Sequence, residues 1–424
     1  MAPSYVSPLQ YNSQCITFPE WVSLFTLCFA PLVAHVVSGI PQISYLAQNR
    51  PKWYDYLCHY NPTSILWRYA AITDRRIRAT RWSCESLAAS NAILWTGKGW
   101  DGGEDMIIAA DPYCLQYPES THVRLFSVTV LKTMITTLQG ISTAYSLIAR
   151  LAGIRVINFY WGLGLDQVFM PLAVLGLLRL FPAAWLTEDF TYASVPEKSS
   201  KSFRSSSLSQ AMLELNSSHD SLDPFLMAPP HLGVRFKSPR SSRPSMVFRI
   251  LYILILGGLL ALSLLHISPT PENSFTPTSF VTGLFYSVLL TISIALYTYY
   301  FFHSQTTTTL LPCISTTWYR IYTLLVIVWM IVIVVIASIE TNKSPGGSYT
   351  SYIIVDAVRC SQNTSWWFFY PYSDFIGIVS IMKRNQTGAK HSPVAITKLS
   401  DHNVSLEDAF WLYKFTGYCM GNYD

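Results

Sequence analysis

The residues with the most recognisable chemistry lie in one short stretch, in which glycines alternate with acids. It reads Gly97-Lys98-Gly99-Trp100-Asp101-Gly102-Gly103-Glu104-Asp105. Three of its glycines fit Gly-x-Gly-x-x-Gly, the pattern that lets backbone amides approach a pyrophosphate. The carboxylates of the stretch would repel a phosphate, however, and no long helix follows it. We therefore interpret it as a glycine-rich turn anchored by Trp100.

The same acids suit a second kind of chemistry. Asp101, Glu104, Asp105 and Asp111 could gather a divalent cation, since carboxylate oxygens are the ligands that Mg²⁺ and Ca²⁺ prefer. Such a site would support an enzyme that acts on a lipid-like or isoprenoid diphosphate. The simpler interpretation leaves these acids solvated in a turn. We prefer it, and we predict neither a metal site nor a cofactor.

Charged residues fall inside two segments that otherwise have the composition of membrane spans. Lys132 lies in one such segment and Asp166 in the next. A charge in lipid is costly and commonly faces a counter-charge. Because consecutive spans are antiparallel, Asp166 is the expected partner, at the reach of an extended lysine. The alternative is that Lys132 snorkels towards the cytoplasm.

The elements that would position these residues are apolar segments of membrane-spanning length. The clearest is Tyr322–Ile339, which contains no charge, Gly or Pro and is bracketed by Arg320 and Glu340. An α-helix rises about 1.5 Å per residue, so this segment nearly crosses a hydrocarbon layer of roughly 30 Å. Only 12% of the residues are charged, and the depletion is concentrated in blocks of this kind.

The sequence therefore predicts an all-α fold, a polytopic transmembrane helical protein with a small mixed tail outside the membrane. The six predicted spans are Glu20–Gly39, Val123–Ile148, Tyr160–Phe181, Val247–Ile267, Phe280–Phe302 and Tyr322–Ile339. They divide the chain into 1–39, 40–122, 123–186, 187–246, 247–340 and the tail 341–424. Segment 40–122 is a partly structured loop, and 187–246 has the Ser-, Pro- and basic-rich composition of a disordered linker.

Orientation follows from the basic residues, which are enriched in cytoplasmic loops. Segments 40–122 and 187–246 together carry fifteen Lys and Arg. Arg150 and Arg155, in the turn between the second and third spans, argue the other way, but two residues do not outweigh fifteen. The sequence thus predicts these two segments in the cytoplasm and both termini in the lumen or outside the cell. The first span would direct insertion, since no removable signal peptide is recognisable.

The tail agrees with this orientation. Asn363, Asn385 and Asn403 each begin an Asn-x-Ser/Thr sequon, which is glycosylated when it is lumenal. Cys360 and Cys419 are the only cysteines of the tail and are predicted to form a disulfide there. The alternatives are unpaired thiols, or pairing of one of them with Cys15. These features predict a eukaryotic secretory or plasma membrane.

One motif near the end of the first span is similar to a known signature. Ser38-Gly-Ile-Pro-Gln-Ile-Ser resembles one half of the signature of PQ-loop transporters. That family duplicates a three-helix unit and has two such Pro-Gln pairs. No second copy occurs in this chain, so we do not assign it to the family.

Two functional hypotheses remain at this stage. Neither Gly-x-Ser-x-Gly nor His-Glu-x-x-His occurs, and no residue is predicted to be catalytic. The first hypothesis is a multi-pass integral membrane protein without enzymatic activity: a transporter, sensor or assembly factor with protein partners at its loop and tail. The second is a membrane-embedded enzyme that uses the Asp101–Asp111 acids. The only other predicted partner is the lipid bilayer; no basic patch with interleaved aromatics predicts nucleic acid.

Overall fold

The computed structural model describes residues 16–151, 163–195, 235–267, 275–343 and 349–351, with a few residues nearer the N-terminus (6, 8–11 and 13). Within these residues the chain is mostly helical. The α-helices are α1 (Phe18–Gly39), α2 (Trp53–Tyr60), α3 (Pro62–Arg78), α4 (Cys84–Asn91), α5 (Met106–Ala109), α6 (Val128–Leu151), α7 (Met170–Gly176), α8 (Arg243–His266), α9 (Pro277–Phe302) and α10 (Thr317–Glu340). The strands are β1 (Ile43–Tyr45), β2 (Ile93–Thr96), β3 (Gly99–Asp101), β4 (Cys114–Gln116), β5 (Thr191–Tyr192), β6 (Asn342–Lys343) and β7 (Tyr349–Thr350).

Four of these helices, α1, α8, α9 and α10, are long and apolar enough to cross a membrane. They confirm the helices predicted for the first, fourth, fifth and sixth spans. Each begins a few residues earlier than predicted. Polar residues cap two of them: Glu20 accepts from the Thr17 backbone at α1, and Thr276 accepts from the Ser279 amide at α9. Only 22% of the most apolar part of α10 is buried, so most of its apolar side chains face outward. This surface is compatible with a membrane protein.

The helix of the predicted second span begins later than expected. The prediction started it at Val123, but α6 starts at Val128, where the Ser127 hydroxyl accepts from the Val130 amide at 3.3 Å. The Val123 amide instead donates to the Ala184 carbonyl at 2.9 Å. Lys132 therefore lies in the second turn of α6, close to the N-terminus of the helix rather than deep inside it.

The predicted third span is not one helix in its described part, residues 163–181. It consists of a 3₁₀ turn (Leu165–Gln167), the short α7 and a second 3₁₀ turn (Leu177–Leu180). The Leu163 and Leu165 amides donate to the hydroxyls of Ser279 and Thr341, both at 2.9 Å. Pro171 has no amide to donate, and these alternatives to helical bonding explain the breaks.

Residues 40–122 form a folded unit that we call the cap. Its sheet pairs β1 with β2 in parallel and β2 with β3 in antiparallel, with Trp95 opposite Trp100. Helices α2 to α5 surround it, and α3 is buried along most of its length. Strand β4 pairs with β5, which follows the broken third segment, so the cap continues beyond residue 122.

Both ends of the predicted disordered linker, 187–246, are folded. At one end the Val195 amide donates to the Tyr45 carbonyl at 2.8 Å. At the other end Phe236 pairs with Ala79, and Arg235 binds Glu85 at 2.8 Å. Contacts with distant parts of the cap order these residues, and composition cannot reveal such contacts. Residues 196–234 lie outside the described residues.

The cap packs against one end of the helix bundle, which we call the cap end. There α3 receives hydrogen bonds from α8, α9 and α10: Tyr252 donates to the Leu66 carbonyl at 2.8 Å, Tyr297 to the Thr63 carbonyl at 2.5 Å, and the Tyr319 and Ser64 hydroxyls lie 2.7 Å apart. The opposite end, the far end, has its own contacts. Glu340 accepts from Thr278, and Lys343 binds Glu20 at 2.5 Å.

Candidate functional site

Helix α3 carries charges into the interior of the molecule. Asn61 caps its start by accepting from the Thr63 amide at 3.0 Å, and Pro62 occupies the first helical position, where a missing amide costs nothing. The helix then carries four charged residues that are at most 5% exposed: Arg68, Asp74, Arg75 and Arg78. Charged residues are almost never fully buried unless they are paired, so their partners show what holds the cap in place.

Asp74 is the centre of this charge cluster. One carboxylate oxygen accepts from the Ser245 hydroxyl at 2.5 Å and from Arg249 Nε at 3.0 Å. The other accepts from Arg78 Nε and from the Arg249 guanidinium, both at 2.9 Å. Burial alone would raise the pKa of Asp74, but the Arg249 and Arg78 guanidiniums outweigh it and hold that pKa below its ordinary value.

The two arginines one turn apart on α3 extend the cluster. Arg78 also binds Glu104 and the Thr306 and Lys237 carbonyls. Arg75 donates to the carbonyls of Gly102 at 2.5 Å and Thr307 at 2.6 Å. We call Asp74, Arg75, Arg78, Glu104 and Arg249 the charge hub. It joins α3, the residues after β3, α8 and the loop between α9 and α10.

The hub is built for cohesion rather than for chemistry. Both oxygens of Asp74 already accept two bonds each, and the side chains of Asp74 and Arg78 are fully buried. A buried carboxylate with guanidinium partners cannot take part in proton transfer without first breaking those bonds. The hub therefore clamps the cap to the cap end of the bundle.

The acids of the glycine-rich stretch do not converge. Glu104 belongs to the hub, Asp101 accepts from the Gly103 amide at 2.8 Å, and Asp111 accepts from the Tyr117 hydroxyl. The glycines lie in and after the β2–β3 hairpin, not between a strand and a helix. Across the described residues there is no group of three or more His, Cys, Asp and Glu that could hold a metal ion. The cation hypothesis thus receives no support from this geometry.

Lys132 has a different partner from the one expected. Its ammonium binds both carboxylate oxygens of Glu188, at 2.7 and 2.9 Å. Asp166 lies in the 3₁₀ turn that contacts α1 and β7, towards the far end. The pairing with Asp166 assumed a straight third span and a longer α6, and the structure has neither. Glu188 was missed because composition placed it in the predicted disordered linker.

Beside this ion pair a polar cleft opens at the cap end. Its volume is about 350 Å³, and it lies between residues 116–124, before α6, and 187–191, before and within β5. Gln42 also lines it. Burial raises the pKa of Tyr117, as does the hydrogen bond that its hydroxyl donates to Asp111, so this wall is held by a protonated phenol. The cleft is a candidate ligand site in the described part of the chain.

Exposed apolar side chains lie next to the cleft. Leu125 is 82% exposed and Phe126 is fully exposed, directly after the cleft residue Arg124. Further large exposed side chains lie at the same end of the bundle, on α2, α9 and α10: Trp53, Phe302 and Trp318. Apolar and aromatic side chains at such a level are typical of a membrane boundary. The cleft opens where this boundary is expected.

The other predicted site residues cannot be placed. Asn363, Asn385, Asn403, Cys360 and Cys419 lie outside the described residues, as does Cys15. Among the described cysteines, Cys28, Cys58, Cys84, Cys114 and Cys313 are free thiols. The glycosylation sites and the disulfide of the tail stay predictions.

These observations define a mostly helical protein with four helices able to cross a membrane and a folded cap that ends in a polar cleft. No protein-family model, no curated protein and no solved structure matches the chain. Function is therefore argued from the hub, the cleft and the bundle.

Proposed function

We propose that the chain crosses the membrane six times, through α1, α6, the broken segment 163–181 and α8 to α10. The broken segment supports this proposal because it reaches both ends of the bundle. Its Leu165 binds Thr341 at the far end, and its Arg179 binds Ser38 and Thr133 at the cap end. Its polar backbone is sheltered by α1 and α6, as a non-helical segment at membrane depth requires.

In this topology the cap end faces the cytoplasm, and both termini lie in the lumen or outside the cell. The basic residues of the cap and of 187–246 support that side. Glycans at Asn363, Asn385 and Asn403, and a disulfide between Cys360 and Cys419, belong to the same proposal for a eukaryotic secretory or plasma membrane. Peptide-N-glycosidase should reduce the apparent mass of the protein, and protease added to sealed vesicles should spare the tail. A tail cleaved from the cytoplasmic side would contradict this orientation.

Within that membrane the function that the geometry supports best is a sensor without enzymatic activity. It binds a polar ligand in the cleft and passes occupancy on to the bundle. The observation that carries this proposal is the Lys132–Glu188 ion pair, which ties a cleft carboxylate directly to α6. A ligand that competes with Lys132 for Glu188 would break this ion pair and so free the start of α6 from the cleft. The hub meanwhile keeps the rest of the cap fixed to the bundle.

The other predicted activities have less support. A transporter or an assembly factor does not require a cleft residue paired to a span. An enzyme that uses the Asp101–Asp111 acids requires them to act together, whereas three of them have separate partners. Sensing is the activity for which the described contacts provide both a site and a route to the bundle.

A photo-crosslinking experiment tests the binding function without assuming the ligand. p-Benzoylphenylalanine is introduced in the cleft in place of Thr191 or His122, and as a control in place of Lys98, which is exposed on the β2–β3 turn. Cells are irradiated and the purified full chain is analysed by mass spectrometry. Small-molecule adducts are expected at the two cleft positions and not at Lys98. The same adducts at all three positions, or none in the cleft, would contradict the proposal.

A further inference from the structure

We propose that the cleft recognises a phosphocholine group, with the quaternary ammonium held among carboxylates and against the Tyr117 ring and the phosphate held by Arg124 and His122. This inference rests on the proposed binding function and names the ligand class. Phosphocholine occurs as the headgroup of a membrane lipid and in soluble diesters, so the shared chemistry is inferred first. The source is inferred second, from the position of the cleft.

The charges of the cleft favour a cation over a simple anion. Three carboxylates line it, those of Glu119, Glu188 and Asp189, against one guanidinium, that of Arg124. Glu188 is bound by Lys132 and Glu119 by Arg124, but Asp189 forms no ion pair within the described part of the chain. Asp189 is an exposed residue of the cleft wall. Its carboxylate can therefore bind an ammonium without first breaking a salt bridge.

The ring of Tyr117 makes this cation site suitable for a methylated ammonium. Tyr117 is partly exposed and lines the cleft. Phe190 also borders the cleft, but its side chain is buried and its ring packs against Tyr192 inside the cap. A ring face attracts a quaternary ammonium through its quadrupole, and the methyl groups bury apolar surface at the same time. A divalent metal ion prefers oxygen ligands to a ring face. The combination of carboxylates and an aromatic ring therefore favours choline over a metal ion.

Basic groups for a phosphate lie in the same cleft. Arg124 and His122 both line it, and both are exposed. The pair between Arg124 and Glu119 has side chains that are 53% and 73% exposed, and such pairs contribute little to stability. Arg124 can therefore exchange Glu119 for a phosphate at low cost, and guanidinium is the side chain best suited to bind phosphate oxygens.

The surroundings of the cleft identify the source as a membrane lipid. The chain passes directly from Arg124 to the exposed Leu125 and Phe126 and then into α6. Along α6, Leu131, Ile135 and Leu138 are exposed and lie on successive turns. A lipid whose headgroup lies in the cleft could thus place its acyl chains along these apolar side chains of α6. A soluble diester would leave these side chains unused.

The experiment uses the full chain in two arms. In the first arm the protein in detergent is titrated with glycerophosphocholine by calorimetry. In the second it is reconstituted in nanodiscs of phosphatidylglycerol that contain a photoreactive phosphatidylcholine or, in parallel, a photoreactive phosphatidylglycerol. Phosphatidylcholine is expected to label residues 116–124 and 187–191, and glycerophosphocholine is expected to suppress this labelling.

Two variants and a control sharpen the result. Asp189→Asn and Tyr117→Leu should each weaken glycerophosphocholine binding about tenfold, since each removes one of the groups that hold the ammonium. Glu85→Gln also removes a carboxylate, but Glu85 pairs with Arg235 and does not line the cleft. This variant should therefore bind glycerophosphocholine as tightly as the unmodified protein does. Equal effects of Asp189→Asn and Glu85→Gln would overturn the ammonium site.

The failures of the two proposals can be told apart. Equal labelling of the cleft by the two lipids would overturn phosphocholine recognition while leaving the binding function intact. Binding of glycerophosphocholine without lipid labelling would support the headgroup chemistry and overturn the membrane source. Absence of binding in both arms, together with absence of adducts at Thr191 and His122, would overturn both proposals.

Discussion

At the scale of single residues, Asp74 shows how one carboxylate can hold a cap on a helix bundle. It is fully buried, and the groups that neutralise it come from its own helix and from α8, about 170 positions along the chain. The cluster stabilises the fold only while all of its charges are paired, because a buried charge that loses its partner costs far more free energy than a solvated one. Single substitutions in the hub should therefore be more damaging than their number of contacts suggests.

We expect Asp74→Asn to lower the free energy of unfolding by about 3–5 kcal/mol, since it leaves Arg249 buried without a counter-charge. Arg235→Gln, which removes a more exposed ion pair with Glu85, should cost about 1 kcal/mol or less. Denaturant titration of the purified full chain in detergent measures both. The double variant Asp74→Asn, Arg249→Met should cost less than the sum of its two single changes. Additive costs would show that the two residues do not act as a pair.

The Lys132–Glu188 pair allows a direct choice between the partner expected from sequence and the one observed. A double-mutant cycle with Lys132→Met and Glu188→Gln should give a coupling energy of about 0.2–1 kcal/mol, because both side chains are partly exposed. The parallel cycle with Asp166→Asn should give none. Coupling between Lys132 and Asp166 instead would mean that the straight third span predicted from sequence is present.

His59 makes the stability of the cap dependent on pH. It is 3% exposed in α2, and burial, aided by the nearby Arg68 charge, lowers its pKa to about 3. Well above pH 6.5 the residue is neutral in both states and has no effect on the pH profile. Between about pH 6.5 and 3 the unfolded chain takes up a proton that the folded chain does not, so stability should fall as the pH falls. His59→Gln should make this part of the unfolding profile less steep, as measured by denaturant titration of the full chain at a series of pH values. An unchanged slope would contradict the prediction.

At the scale of elements, the β2–β3 hairpin and the loop between α9 and α10 meet at Gly102. Its carbonyl accepts from Arg75 and from the Thr309 amide, which lies 3.0 Å away. A Cβ at Gly102 would lie 2.7 Å from the Thr309 hydroxyl and 2.9 Å from Leu310 Cγ. The glycine is thus required by close approach rather than by phosphate binding, which its sequence pattern had formally suggested.

Gly102→Ala is expected to destabilise the protein by about 1–3 kcal/mol through this overpacking. The matched control is Gly257→Ala in α8, where nothing lies within 4 Å of the added methyl group. That change should be neutral or stabilising by up to about 1 kcal/mol, since alanine is the better helix former. Thermal unfolding of the two variants in the same detergent compares them. Equal costs would mean that the hairpin does not pack tightly against the loop.

How far the sequence predicts these elements depends on what stabilises each one. The four apolar helices were predicted correctly because an uncharged run of spanning length needs no partner to be recognised. Helix α3 and the hub were not predicted, since α3 carries many charges and reads as a solvated segment. Its burial depends on Ser245 and Arg249, and a single sequence does not reveal contacts at such separation. The cleft was missed for the same reason, because one of its walls lies in the predicted linker.

At the scale of the whole molecule, the cap closes one end of the bundle, and the start of α1 and the end of α10 lie at the other. Glu20 at the start of α1 and Lys343 after α10 bind each other at the far end, and α3 forms hydrogen bonds with α8, α9 and α10 at the cap end. The four apolar helices alone would cross the membrane four times, and the six-crossing proposal adds α6 and segment 163–181. The two topologies differ in the side on which the connection between α6 and segment 163–181 lies.

An epitope inserted between Arg155 and Val156 decides between the two topologies. With six crossings, antibody added to intact cells, or to the lumenal face of vesicles, should bind this epitope, because α6 carries the chain away from the cap end. With four crossings the connection would return to the cytoplasm, and the antibody would bind only after permeabilisation. The same epitope inserted after Lys98, in the cap, is the control and should require permeabilisation in either case. Antibody binding at position 98 in intact cells would overturn the proposed orientation. Absence of antibody binding at position 155 before permeabilisation would mean that only the four apolar helices cross the membrane.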